Sequence, residues 1–443
     1  MIRNKEFYWG VSSSAAQTEG AAFEDGKGAS VWDDFITRKK IIRGDSKLIT
    51  GTDFYHRYRE DVNILADLKI SNFRFSLSWP RILPQGTGTI NTKGLDFYER
   101  VVDCCLEKNI TPWITLYHWD LPLALEQRGG WTNREIINWF DDYVAVCTKR
   151  LGDRVKNWMV LNEPMAFCGA GYFLGVHAPG KKGRSNFVSA AHHAVLATAS
   201  GASTIKSHVS DANVGSTFSF SHIVPYNMTV PDIKAANRVD DLLNNFFLYP
   251  ALGKGYPLND LKFLRGIEKF MLPGDDMRMK ANLDFIGVQN YTREVIKFTP
   301  FTPFIKAVTV SPKKRNVPFT EMGWEVHPQS MYQVLKKLSA IPGIPPLIVT
   351  ENGAAFIDEV TEDGTVHDQK RLEFLDQTIQ EIHKAKAAGM DVRGYFVWSL
   401  TDNFEWAESY RPRFGLVHID YEKNLKRTVK ESGKWYGKMI GDE

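Results

Sequence analysis

The chain has 443 residues, of which 43% are hydrophobic, 12% aromatic and 24% charged, the balance of a globular protein with ample material for a core. A formal net charge of +3, with Lys and Arg scattered along the sequence, excludes a nucleic-acid surface built on basic surplus. No stretch approaches about 18 uninterrupted apolar residues, so no membrane span is expected.

Met1 to Trp9 has no apolar run of the secretory kind. Cys104, Cys105, Cys147 and Cys168 show no C-x-x-C spacing, and free buried thiols in a reducing, cytoplasmic setting are expected.

Short β-rich runs recur with amphipathic helical segments between them, the rhythm of a parallel sheet built from βα units. In chain order the strands are expected at Phe7–Ser13, Phe73–Trp79, Trp113–His118, Trp158–Asn162, Val214–Phe220, Phe285–Asn290, Leu347–Thr350 and Val392–Ser399. Eight such runs fit a closed barrel. With no low-complexity linker anywhere, the sequence predicts an α/β fold, a single (β/α)₈ barrel over residues 1–443 with extended βα loops.

Between the fourth and third strands, Ile136, Phe140, Tyr143, Val144, Cys147 and Leu151 share one helical face, and Thr132 with Glu135 forms a capping box ahead of them. Leu372, Leu375, Ile379 and Ile382 mark a second helix ended near Gly389. The stretch Thr299–Pro328, with Pro300, Pro303, Pro312, Pro318 and Pro328, follows the sixth strand and reads as a long loop roofing a site. Inside it Lys313, Lys314 and Arg315 read as a solvated loop.

The polar residues that stand out lie at the C-terminal ends of these strands, where such a barrel builds its active site. Gln17 follows strand one, His118 ends strand three, Asn162 and Glu163 come at strand four, Tyr291 after strand six, Glu351 after strand seven and Glu405 after strand eight. Two carboxylates facing each other across a barrel mouth suit glycoside hydrolysis, in which one protonates the leaving oxygen and the other attacks or activates water. Retaining enzymes hold the pair about 5–5.5 Å apart and inverting ones about 6.5–9.5 Å. A sequence carries no such distance.

The stretches Val160-Leu161-Asn162-Glu163-Pro164, Ile348-Val349-Thr350-Glu351-Asn352-Gly353 and Ser399-Leu400-Thr401-Asp402-Asn403-Phe404-Glu405-Trp406 resemble the signatures of glycoside hydrolase family 1. Phe73-Arg74-Phe75-Ser76-Leu77-Ser78-Trp79, Tyr117-His118-Trp119-Asp120, Val176-His177-Ala178-Pro179-Gly180 and Arg413-Phe414-Gly415-Leu416 match too, in the family's order. The resemblance implies a retaining β-glycosidase, β-glucosidase-like, working by double displacement with Glu163 as acid/base and Glu351 as nucleophile.

It further implies that Arg74 and Tyr291 keep Glu351 ionised and that Gln17, His118, Trp119, Glu405 and Trp406 hold the sugar hydroxyls. Asn162 would take the 2-hydroxyl and Trp398 would form the stacking floor. A core histidine at His118 and barrel-packing roles for Trp119 and Trp398 are the plainer alternatives. Three departures stand out: Gln289 where many members have Asn, Met165 where many have Trp after Asn-Glu-Pro, and Ser409 in place of Gly.

The substrate implied is a small oligosaccharide or an aryl or alkyl β-glycoside, with no cofactor. The 11 His show no H-E-x-x-H pattern, and His192-His193 sit in a helical run, so no metal is expected. Nothing in the sequence bears on oligomeric state. A 6-phospho-β-glycosidase and a non-catalytic sugar-binding relative are the alternatives. Against the first, Glu405 and Glu408 would repel a phosphate, at a cost on the order of 4 kcal/mol for like charges about 4 Å apart at an effective dielectric of about 20. Against the second, both carboxylates are present.

Overall fold

The computed structural model describes residues 7–39 and 51–442. Eight parallel strands form a closed barrel in which each pairs with its neighbour in sequence and the last with the first. They run Tyr8–Ser12, Asn72–Ser76, Thr111–Tyr117, Asn157–Asn162, Asn213–Ser219, Phe285–Gln289, Leu347–Asn352 and Val392–Trp398. All eight expected runs are strands, shifted by a few residues at their ends. The seventh is longer than expected, so Glu351 lies within it rather than beyond it.

One cluster inside the barrel is made by Trp113, Met159, Phe285, Ile348 and Phe396, large side chains from the third, fourth, sixth, seventh and eighth strands. Glycines make room for them. A Cβ on Gly215 would lie 2.3 Å from the Phe285 ring, and one on Gly10 would lie 2.5 Å from the Phe396 ring. The upper end holds polar side chains instead.

Outside the barrel, the helix Ile136–Leu151 buries the face read from the sequence. The capping box ahead of it does not form. Glu135 already has helical dihedrals, Thr132 belongs to the short turn Gly130–Thr132, and its hydroxyl donates to the Gly129 carbonyl at 2.7 Å. Asn133 does the local work, its Oδ1 accepting from the Glu135 N–H at 3.0 Å, because an Asn side chain competes well for the amide two residues on.

The Pro-rich stretch after the sixth strand is more ordered than a plain loop. Ala307–Thr309 pairs antiparallel with the strand Arg293–Phe298, and Lys313 to Arg315 end a short helix, Pro312–Arg315, rather than a solvated loop. Lys313 and Lys314 are exposed, but Arg315 reaches Glu325 at 2.6 Å and the Val310 carbonyl at 3.0 Å. A carboxylate partner turns that cation into an anchor.

Below the eighth strand's loop lies a buried ionic network. Lys430 Nζ contacts Asp402 Oδ1 at 2.7 Å and Asp358 Oδ2 at 2.5 Å, and Arg371 pairs with Asp358 at 2.8 Å and with Asp368, all of them with fully buried side chains. Asp402 also accepts from the Gly415 N–H at 3.0 Å and from Arg413 at 2.8 Å, which ties down the loop bearing Glu405. Lys430→Met should therefore cost about 3–5 kcal/mol, because two buried carboxylates lose their shared cation. Denaturant midpoints of the two proteins measure this, and a loss below about 1 kcal/mol would show that the network tolerates the missing charge.

Candidate active site

Arg74 is a fully buried cation in the middle of the second strand, a position that requires partners on every side. It has them. Nη1 donates to Glu351 Oε1 at 2.5 Å and to the Thr350 carbonyl at 3.2 Å, Nη2 to Asn162 Oδ1 at 2.5 Å, and Nε to Thr115 Oγ1 at 3.0 Å. The Tyr291 hydroxyl donates to the other Glu351 oxygen at 2.7 Å. Glu351 thus has one donor on each carboxylate oxygen, from the second strand and from the turn after the sixth.

Glu163 is built differently. It occupies the junction between the fourth strand and the helix Pro164–Cys168, with a left-handed backbone, φ 44°. A non-glycine residue there is uncommon, and its N–H is fixed by the Thr217 carbonyl at 3.0 Å. Trp119 and Trp406 also have positive φ, 77° and 45°, so three residues of the same cavity hold sparsely populated backbone conformations.

The two carboxyls differ electrostatically. Burial pushes Glu163 well above the usual carboxyl range, and the nearby charges of Glu351 and Glu405 push it further against the pull of Arg74. Glu351 is also raised by burial, but Arg74 and Tyr291 pull it back down. The expectation that Arg74 keeps Glu351 low is right about the direction of that contact and incomplete about the sum, because desolvation is the larger effect. Burial and like charge raise Glu163, whereas at Glu351 two donors oppose the effect of burial.

Both carboxyls open into a cavity of about 380 Å³ that Gln17, His118, Trp119, Tyr291, Trp398, Glu405 and Trp406 also line. The His118 ring lies 5.9 Å from Trp398 in a stacked arrangement, and Trp119 packs on Trp406 at 4.6 Å. His118 Nε2 meets Asn162 Nδ2 at 3.0 Å, which makes Nε2 the acceptor and leaves the proton on Nδ1. That buried Nδ1 has no partner among the described residues, and neither has Glu405 Oε2. Buried polar atoms are rarely left unpaired in this way.

Other expected ligand contacts are already occupied by protein. The Trp119 indole N–H donates to the Asn162 carbonyl at 2.8 Å, so that ring offers its face and not its donor. Gln17 Nε2 donates to Asn403 Oδ1 at 3.1 Å and to the Phe404 carbonyl at 2.8 Å, and its Oε1 accepts from the Ser14 hydroxyl at 2.6 Å. Asn162 lies behind the wall. Its Oδ1 takes donors from Arg74, from Thr217 at 2.8 Å and from Gln289 at 2.7 Å, and only the second Nδ2 hydrogen is free. The extra methylene of Gln289 is what lets its amide reach Asn162.

Sequence reasoning missed several wall residues, among them Glu294, Met322 and Trp324. Trp324 packs on Tyr291 at 5.3 Å and brings the Pro-rich stretch over the cavity, as the roofing expectation requires. A single Trp in a Pro-rich segment was its available signal. Thr217, whose hydroxyl steadies Asn162, carried no signal at all, since a Thr is an ordinary member of a β-rich run.

Residues 3–443 match the profile of the family described as Glycosyl hydrolase family 1. The chain is 43% identical over 437 residues to Beta-glucosidase A of Thermotoga maritima, covering 98% of this chain and 96% of that protein. It is 40% identical over 441 residues to Beta-glucosidase A of Acetivibrio thermocellus, covering 98% and 97%. The solved structure of the family 1 β-glucosidase from Thermotoga maritima superposes with a TM-score of 0.95 at 42% identity, covering 99% of this chain and 98% of that one.

Proposed function

The chain belongs to glycosyl hydrolase family 1 and is a retaining β-glucosidase, and from that premise we propose that Glu351 is its nucleophile and Glu163 its acid/base. The observation that carries this assignment is the unequal treatment of the two carboxyls: donors on both oxygens of Glu351, burial and negative charge around Glu163. Glu351 attacks the anomeric carbon while Glu163 passes its proton to the departing oxygen, giving a glycosyl ester and the free aglycone. Esterification removes the Glu351 charge, one of the causes that raise Glu163, so the pKa of Glu163 falls. It can then take a proton from water as that water attacks the same carbon and releases Glu351.

In this reading His118 Nδ1, Glu405 Oε2 and Gln17 Oε1 pair with sugar hydroxyls, the free Asn162 hydrogen takes the 2-hydroxyl, and Trp398, Trp119 and Trp406 supply apolar faces. The substrate is a small oligosaccharide or an aryl or alkyl β-glycoside. The single barrel is the catalytic unit. Cytoplasmic residence is supported by four free, buried cysteines, Cys104, Cys105, Cys147 and Cys168. Among the described residues no helix is long and apolar enough to cross a membrane.

The test is a panel of nitrophenyl β-D-glucoside, galactoside and fucoside with the purified protein, following the anomer first released by NMR. The β anomer should appear first. Early α anomer would overturn the double displacement.

The cavity wall also decides against a 6-phosphate. Glu163, Glu294, Glu351, Glu405 and Glu408 line it, and no Lys or Arg does. The like-charge cost expected at Glu405 needs a correction, however. Burial, with Glu351 and Glu408 nearby, raises its carboxyl to about 8. At pH 7 it is mostly neutral and can hydrogen-bond a phosphate oxygen instead of repelling it. Above pH 8 it is charged, and the like-charge cost, on the order of 4 kcal/mol, comes into force. The preference for nitrophenyl β-glucoside over its 6-phosphate, as a ratio of kcat/KM, should therefore widen from pH 6 to pH 9 toward roughly a thousandfold. A preference for the phosphorylated substrate at any pH would remove Glu405 from this role.

A further inference from the structure

Outside the barrel, a cavity of about 420 Å³ is assigned nothing by the reaction. The helix Val230–Asp240, the helix Ser330–Ser339 and the short strand His222–Pro225 each contribute to its wall. Helical spacing sets its character. Ile233, Ala236 and Asp240 fall on one face of the first helix, and Val334, Lys337 and Leu338 on one face of the second, so each helix presents apolar side chains with a charge beside them. The two charges meet. Lys337 Nζ pairs with both oxygens of Asp240, and the pair is open to solvent, with 38% and 25% of the two side chains exposed. Lys336 and His222 also line the cavity, so Asp240 is the one acid among its lining residues against two lysines. Burial holds His222 below the ordinary histidine range, and His327, Arg293 and Lys337 lower it further against the pull of Asp240, which marks the field here as positive.

A short run of hydrogen bonds joins this ion pair to the catalytic cavity. Asp240 Oδ1 accepts from Asn244 Nδ2 at 2.6 Å, and the same amide clamps the Ser221 backbone, donating to its carbonyl at 2.9 Å and accepting from its N–H at 2.9 Å. Asn244 is buried, so it cannot trade these partners for water without cost. Phe220 and Ser221 line both cavities, and their turn is the partition between them. The Phe220 N–H donates to the Gln289 carbonyl at 2.8 Å, and its carbonyl accepts from Asn290 Nδ2 at 2.9 Å. Gln289 holds Asn162, and Asn290 precedes Tyr291, the donor to Glu351.

We infer that this outer cavity is an effector site for an amphipathic monocarboxylate, an anion that takes Lys337 from Asp240 while its apolar body covers Ile233, Val334 and Leu338. A carboxylate suits a half-exposed ammonium with a second lysine near it, because hydrogen bonds between charged groups are stronger than neutral ones. The apolar faces of both helices call for a hydrocarbon body, which disfavours a free sugar or an inorganic anion. Once Lys337 turns to the ligand, Asp240 keeps Asn244 as its donor, and the altered balance reaches the partition through the Ser221 clamp.

Calorimetry with 4-phenylbutyrate on the full chain tests the site without any use of the reaction. One molecule should bind per chain. Acetate, which lacks the body, and 4-phenylbutyramide, which lacks the charge, should each bind roughly tenfold or more weakly. Lys337→Gln should weaken phenylbutyrate by roughly tenfold, whereas Asp240→Asn, which removes the competing carboxylate, should tighten it. Opposite shifts cannot both come from misfolded variants. At saturation, phenylbutyrate should change KM or kcat for nitrophenyl β-glucoside by roughly fivefold or more in the wild type and by less in Asp240→Asn. It should still bind when deoxynojirimycin fills the catalytic cavity. Absence of binding, binding indifferent to Lys337→Gln, or mutual exclusion with deoxynojirimycin overturns the site. Binding that leaves both kinetic constants unchanged overturns its linkage to the catalytic cavity. The calorimetric arms decide the site even in a protein inert on glucosides, so failure of the hydrolase reading is told apart from failure of this inference.

Discussion

Glu351→Gly is expected to reduce hydrolysis by roughly four or more orders of magnitude, as loss of a covalent nucleophile does. The side chain sits inside the seventh strand, braced by Arg74 and Tyr291, and no other described carboxyl shares those donors. Truncation leaves Arg74 buried but still bonded to Asn162, Thr115 and the Thr350 carbonyl, so the barrel should fold. It also leaves a space beside the anomeric carbon that azide can enter. With a dinitrophenyl β-glucoside, azide should restore turnover and give the α-glucosyl azide, since attack comes from the face opposite the departing group. Wild-type activity in the variant, or a β-azide, would remove Glu351 from the nucleophile's role.

Glu163→Gln should act by a different signature. A dinitrophenolate leaves without a proton, so its release should stay fast, whereas glycosylation with an alkyl glucoside should fall by roughly two to four orders of magnitude. Deglycosylation needs a base whatever the leaving group was, so the variant should show a burst of dinitrophenol followed by slow turnover. The pH profile adds a check. Burial and the Glu351 charge raise Glu163, activity requires its protonated form, and so the wild-type rate is present below that raised pKa and lost above it. The alkaline limb should vanish in the variant. Equal losses across leaving groups with no burst would place the acid/base elsewhere.

The fold was legible because its signals are local. Each barrel strand is a short apolar run bounded by turn residues, and the helix from Ile136 to Leu151 repeats its apolar face over four turns. What was not legible depended on competition between neighbours: Asn133 against Thr132 for the same turn, or the length of the seventh strand, which carries Glu351 inside it. At the site, sequence position brought Glu163, Glu351, Arg74, Tyr291 and the cavity-wall residues to one end of the barrel. It did not reveal that the Trp119 N–H and the Gln17 amide donors would be engaged by Asn162, Asn403 and Phe404, because such pairings join residues tens to hundreds of positions apart. Nor could it give the balance of burial against Arg74 at Glu351, which is a sum over the folded surroundings.

The barrel closes where its first strand meets its eighth, and the helix Glu431–Asp442 lies across that joint. Tyr436 donates its hydroxyl to the Gly10 carbonyl at 2.9 Å, spanning 426 positions of sequence, and its ring packs on Trp9 and Tyr395, one from each strand. During synthesis this means that seven strands leave the ribosome before the eighth exists to seal the cylinder, and the clasp arrives after all of them. Until then the first and seventh strands each present an unpaired edge, the kind of surface on which nascent chains associate with one another. A chain that stalls or is cut before Tyr436 should therefore be handled in the cell as an aggregation hazard rather than as a slightly shortened enzyme.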